Sequence, residues 1–325
     1  MAQDFTLALD SELGRRLSNT PENGWVQLNI NRYEEVWTPL DQRPRPSDAP
    51  SVGSPRSIIG AWSSMSWDNN RGQLIFFGGG HANYPGNEIY RWDASSLRWH
   101  RASLPSEVYR SPNTSAAVYY AVDGLYNAPA AAHTYDSSEF LPIADRFITF
   151  GGAAFNTGRY FEKEDGTRTG PYMWDPSRAG ANAVGGTEGS QVNPHIYTSV
   201  TGGEMWDNRD NLQPPPGEGR PGFGGTYWIN GTSAYYEEDG KDVLFLQVSS
   251  HLWKYTVNDV NSAATDTYER LTTAPSTPSS GQGAGGYAPD RSNYLRSAGR
   301  SYSYWLLDPS GAPVANQRFQ PDVEG

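Results

Sequence analysis

Residues 67–99 read WDNNRGQLIFFGGGHANYPGNEIYRWDASSLRW. An aromatic–acid pair, Trp67-Asp68, leads through an Asn- and Gly-containing turn at 69–72 into an apolar strand at 73–77. Three glycines follow, then a second strand pattern at 88–92, Asp93 and a closing Trp99. A short apolar run bounded by turn residues marks a strand.

The pattern recurs. A second copy runs from Tyr135-Asp136 through an apolar run at 146–150 and Gly151-Gly152 to Tyr172-Met173-Trp174-Asp175. A third runs from Tyr235-Tyr236 through Asp239-Gly240 and 242–248 to Leu252-Trp253-Lys254-Tyr255. A fainter fourth holds Tyr287, Asp290-Arg291, residues 293–296, then 304–307 and Asp308. In the third copy, Trp228-Ile229 and 232–237 flank Asn230-Gly231, a dipeptide suited to a two-residue hairpin. Asp239-Gly240 turns the chain again, and Ser249-Ser250 leads to 252–255 as the fourth strand of that sheet. One such antiparallel sheet cannot hide both faces alone. Several stacked around an axis can, which is the propeller arrangement.

The order of apolar strand, Gly-Gly, spaced Tyr and later Trp resembles the kelch repeat, with residues 78–99 its most specific piece. That stretch is similar to the kelch-type, galactose-oxidase-like propellers of tailed phages and prophages. The resemblance covers residues 58–308 and implies an all-β, kelch-like β-propeller of four-stranded antiparallel blades. The copies are unevenly spaced: Phe76 to Phe150 is 74 residues, and Phe150 to Leu246 is 96. The longer gap leaves room for an insertion near 176–225, a Gly/Pro/Asn-rich stretch that includes 202–207. A fifth blade is expected, from this stretch or from 25–37 pairing with the C-terminus.

Ahead of the repeats, residues 1–24 read as an arm. Phe5, Leu9, Leu13 and Leu17 recur every four residues, as in one short amphipathic helix. Such a helix either lies on the body or docks onto another subunit or protein. Residues 38–57 carry Pro39, Pro44, Pro46, Pro50 and Pro55 and form an extended connection. Residues 25–325 constitute the propeller.

Composition agrees with many turns and aromatic strands: of 325 residues, 35 are Gly, 24 Pro, 20 Tyr and 11 Trp. A helical bundle is excluded. The net charge of −11 argues against a nucleic-acid partner, and Lys163, Lys241 and Lys254, the only lysines, form no polybasic membrane patch. No apolar run approaches the roughly 18 residues of a membrane span. The acidic N-terminus lacks a secretory pattern, so the chain is expected to be made in the cytoplasm.

Zero cysteines removes disulfides and thiolate sites. It also removes the copper-radical chemistry of galactose oxidase, whose cofactor needs a crosslinked cysteine. No sialidase-type Asp-box string is present. The acidic clusters at 237–239 and 162–165 read as solvated hairpin tips. His81, His100, His133, His195 and His251 show no metal-ligand spacing, so neither metal nor other cofactor is expected. Gly281, Gly283 and Gly286 match a dinucleotide fingerprint, but Tyr-Ala-Pro-Asp follows instead of a helix, and the stretch reads as a loop.

The best ligand-binding candidate is the loop at 81–88. His81, Asn83, Tyr84, Asn87 and Glu88 combine an aromatic face with amide and carboxylate groups that can stack on a sugar and bond its hydroxyls. His133 joins them if both loops face the central channel. Each of these residues also has an architectural reading, as a turn former or a backbone hydrogen-bond partner. The expectation is a non-catalytic binding or assembly propeller. The resemblance makes it a tail- or capsid-associated virion protein, extracellular once assembled, that contacts other virion proteins or a host surface polysaccharide. It self-associates through the arm if the arm docks. The alternatives are a carbohydrate-active enzyme with a site at the channel mouth, and a cytoplasmic kelch scaffold for protein partners.

Overall fold

The computed structural model describes residues 8–46, 53–81, 83–111, 118–155, 158, 161–165, 168–187, 202–210, 231–248, 251–273, 283–289, 293–297, 304–307 and 317–319. Within them the chain is all-β, with four four-stranded antiparallel sheets and a few short helices. The first sheet is β1 (Met65–Asp68), β2 (Gln73–Phe76), β3 (Tyr90–Asp93) and β4 (Arg98–Arg101). A hairpin of β5 (Val108–Arg110) and β6 (Tyr119–Ala121) follows, then β7 (Ala132–His133). The second sheet opens with β8 (Ser138–Leu141) and β9 (Arg146–Thr149); β10 (Ala153–Ala154) returns to pair with β7. Its outer strands are β11 (Tyr172–Trp174) and β12 (Trp206–Asn208). The third sheet is β13 (Thr232–Glu238), β14 (Lys241–Val248), β15 (His251–Thr256) and β16 (Thr267–Thr273). The fourth is β17 (Gly285–Ala288), β18 (Asn293–Ser297), β19 (Tyr304–Leu307) and β20 (Gln317–Phe319).

The apolar runs are unbroken because each strand feeds two cores. On β2, Ile75 packs with Phe147, Trp174 and Trp206 of the second sheet. On β9 and β11, Ile148 and Met173 turn the other way, onto Leu244, Leu246, Trp253 and Tyr255 of the third. Phe245 and Leu252 then face Tyr294 of the fourth. Successive side chains thus serve opposite neighbours, as the two-residue period of a strand dictates. The first strands lie side by side, β1 against β8, β8 against β13 and β13 against β17.

Polar links join the turns. The carboxylate of Asp145, in the β8–β9 turn, accepts two guanidinium bonds from Arg71 (2.5 and 2.6 Å) and one from the Asn70 amide (2.9 Å). Asp68 aligns that guanidinium from within the first sheet. From the other side Asp242 accepts the Ile143 and Ala144 backbone amides at 3.1 and 2.6 Å. Farther out, fully buried Arg209 reaches from the end of β12 to Asp266, which also accepts the Tyr255 hydroxyl.

Several expectations change. The stretch at 202–207 is not a separate blade: its Trp206 and Asp207 enter β12, the closing strand of the second sheet. The third sheet starts at Thr232, so 252–255 falls in its third strand and β16 supplies the fourth. Trp228 to Asn230 lie outside the described residues. Gly285 and Gly286 are paired in β17 rather than in a loop. The stretch 25–37 lies against the first sheet; most of the C-terminal stretch it was expected to meet lies outside the described residues. Asn31 there bonds both the amide and the carbonyl of Trp99, as a neighbouring strand would, and so shields the β4 edge. Tyr33 packs on Trp99 and Tyr90. The arm helix, α1 (Glu12–Ser18), is N-capped by Ser11 and buries Leu13 against Trp92 and Leu97, while Leu9 and Leu17 stay exposed. Phe5 lies outside the described residues. Glu162 is buried, not a solvated tip.

If the β8–β9 turn is the joint between sheets, Asp145→Ala should cost about 1–2 kcal/mol in urea unfolding, because it removes the bidentate partner and leaves Arg71 with Asp68 alone. Leu295→Ala, on the open face of β18, should change stability by less than about 0.5 kcal/mol.

Candidate functional site

Turns such as β1–β2 and β8–β9 lie at one end of the inner strands; at the other end the chain enters β1 and β8. Trp62 precedes β1, and the segment 133–136 precedes β8. That segment is stitched to both neighbours. The Ser64 amide bonds Thr134 Oγ1 (2.9 Å), and the Tyr135 amide bonds the Trp62 carbonyl (2.8 Å). The Ser233 hydroxyl of β13 donates to the Asp136 carbonyl (2.8 Å), and the Gly285 amide of β17 donates to the Asp136 carboxyl (2.6 Å). Four first strands therefore meet at one mouth.

His133 is the centre of an aromatic cup. It is 1% exposed, and the rings of Trp62, His81 and Tyr135 lie 5.2, 5.5 and 6.1 Å from its own. All three surrounding residues have left-handed backbone: φ is 50° at Trp62, 51° at His81 and 49° at Tyr135. Histidine is among the residues that tolerate that region, but Trp and Tyr rarely adopt it, and such strain costs about 1–3 kcal/mol each and clusters at functional sites. Trp62 remains 55% exposed and His81 is exposed, so the rim is an accessible aromatic surface. Burial, with the His81 imidazole nearby, pushes His133 down to about 4, so it is neutral at physiological pH.

Farther along the chain are two half-buried carboxyl residues, Asp136 just before β8 and Glu139 on it. Burial raises Asp136 to about 7, against the opposing hydrogen bonds of the Gly285 and Ser233 amides. Burial, with Asp136 beside it, raises Glu139 to about 8; one of its oxygens accepts the Ser233 hydroxyl at 2.8 Å. Among the described residues no group of three or more His, Asp or Glu could hold a metal ion.

The structure divides the loop at 81–88. His81 and His133 come together at the mouth. Asn83 is half-buried, its amide bonded to the Gly80 carbonyl. Tyr84, Asn87 and Glu88 are interior, and their reading as sugar contacts is corrected. Glu88 Oε1 accepts the hydroxyls of Tyr84 (2.9 Å), Tyr90 (3.0 Å) and Thr38 (2.8 Å), which anchors the proline-rich connection. Asn87 bonds the Pro129 carbonyl and the Ser106 amide. A buried ring offers no stacking face. Trp62, Tyr135, Asp136 and Glu139 were not predicted as site residues. The signal for them was their equivalent position, immediately before or within the first strand of two copies.

No family model and no curated protein sequence matches the chain. Similar solved structures include the major Malassezia sympodialis allergen Mala s 1, at 12% identity and a TM-score of 0.36, over 79% of this chain and 52% of that one. The dihydro-heme d1 dehydrogenase NirN is similar at 11% identity and a TM-score of 0.26, over 80% and 48%. A Penicillium chrysogenum alpha-L-arabinanase is similar at 12% identity and a TM-score of 0.28, over 84% and 81%. The chain spans about half the length of the first two. At these scores the fold rests on the strand pairing itself.

The raised carboxyls set a pH dependence. Above the unfolded pKa values of about 4, the unfolded chain has released these protons while the native state still holds them, so stability falls as pH rises toward 8. His133 works the opposite way between about 4 and 6.5, which leaves 6.5 to 8 as the clean window. Melting temperature should fall across that window, and Glu139→Gln should flatten the fall. An unchanged slope in the variant would contradict the assignment.

Proposed function

We propose that the chain is a kelch-like β-propeller that works by binding, and that the mouth of its inner strands is the binding surface for a surface glycan. The observation that carries this is the cup of Trp62, His81 and Tyr135 around His133, three strained aromatic residues at an exposed rim. Aromatic faces with polar edges suit the apolar face and hydroxyl rim of a sugar ring. Four sheets with adjacent first strands support the propeller reading, each sheet being one blade. Binding rather than turnover is supported by the engagement of the Asp136 carboxyl with backbone amides and of Glu139 with Ser233. The virion setting, with other virion proteins as further partners, rests on the resemblance of residues 78–99.

The test is a panel of bacterial polysaccharides, followed by tryptophan fluorescence and product masses together. Binding without new masses is expected, with Trp62→Ala weakening it about tenfold. New masses would make the mouth an enzyme site; affinity unchanged in Trp62→Ala would move the binding surface elsewhere.

A further inference from the structure

The floor of the cup has an unused acceptor. His133 is almost wholly buried, yet its Nε2 has no hydrogen-bond partner. The Gly80 carbonyl lies on the ring's other side and favours a proton on Nδ1. With the proton on Nδ1, Nε2 carries a lone pair, and the orphan nitrogen is an acceptor. Buried polar atoms in native proteins are nearly always satisfied, so an orphan at a candidate site asks for a ligand.

The surroundings hold the imidazole still. His133 is paired with Ala153 in the β7–β10 ladder, and its carbonyl lies so close to Gly152 that a Cβ there would sit 1.8 Å from it. The next residue, Thr134, is fully buried and accepts the Ser64 amide. What covers the nitrogen is different in kind. Trp62 and His81 are surface residues on left-handed backbone, and His81 packs against Gly158, where a Cβ would come within 2.4 Å of the imidazole. The floor is fixed, and the rings beside it belong to exposed side chains.

We propose that His133 Nε2 accepts a hydrogen bond from a hydroxyl of an uncharged sugar, placed when Trp62 and His81 move apart. The proposal rests on the reading of the mouth as a glycan site and names the contact that selects the ligand. A lone pair on a neutral imidazole calls for a donor and disfavours an anion. An ammonium group could also donate, but the ring beside the nitrogen is a second imidazole, and the carboxyls along β8 are bound to Ser233 and Gly285. A buried cation would find no free counter-charge there.

The test uses the full chain with 15N-labelled histidine, titrated with methyl glucoside, methyl galactoside, methyl mannoside and, separately, glucosamine. In the free protein His133 should carry its proton on Nδ1. Adding the neutral glycoside that quenches Trp62 should shift the Nε2 resonance as hydrogen bonding to an acceptor does. His133→Phe should weaken that glycoside about tenfold while near-ultraviolet dichroism stays native. If the variant does not fold, the native-protein spectra decide alone. A proton on Nε2 in the free protein overturns the proposal, as does a shift with glucosamine only. Quenching of Trp62 with His133 unmoved overturns the proposal and leaves the glycan reading standing. No response to any sugar removes both.

Discussion

The turn at 142–145 is gripped from both sides, and the arrangement of the sheets depends on that grip. Arg71 closes on Asp145 from the first sheet with two parallel bonds, and Asp242 takes the Ile143 and Ala144 amides from the third. The apolar faces on either side are tolerant of sliding, because burial is not directional. Bidentate pairs and backbone-to-carboxylate bonds are directional, and they fix how far one sheet stands past the next. With that register set, Ile75 and Phe147 meet on one side of the second sheet while Ile148 and Leu244 meet on the other.

The same register brings the opposite ends of β1, β8, β13 and β17 to one place. The left-handed backbone at Trp62 and Tyr135 is held there by the bonds that join their two segments, the Tyr135 amide to the Trp62 carbonyl and the Ser64 amide to Thr134 Oγ1. Strain of this kind persists only where the surroundings over-determine it. The inner strands and their turn-to-turn links supply that constraint, so the scaffold and the mouth are one mechanical system. Asp136 shows this at a single residue: its carbonyl serves the third sheet, and its carboxyl serves the fourth.

The inner strands were legible because burial on both faces concentrates apolar residues, as at 74–77 and 147–150. The outer strands were not. β16 (Thr267–Thr273) is a polar edge strand, and β12 (Trp206–Asn208) is three residues long after a Gly/Pro-rich stretch, so neither leaves a periodic trace. Asn31 acting as a strand partner for Trp99 has no sequence pattern at all. At the site, composition drew attention to the loop at 81–88, which mixes an aromatic with an acid. That mixture also suits a buried anchor, and Glu88 with Tyr84, Tyr90 and Thr38 is one. His81 and His133 come together because they sit beside glycine and strand boundaries, where backbone approaches closely. Trp62 and Tyr135 needed the copies to be superposed on their first strands.

The central claim is that the mouth of the inner strands is where this protein meets its ligand. Hydrogen exchange with and without a bound polysaccharide, resolved along the chain, tests it most directly. New protection should fall on 62–64, 78–81 and 132–136, with the anchor at 86–90 already protected and unchanged. Protection confined to α1 and residues 19–26, or spread over outer strands, would contradict the account.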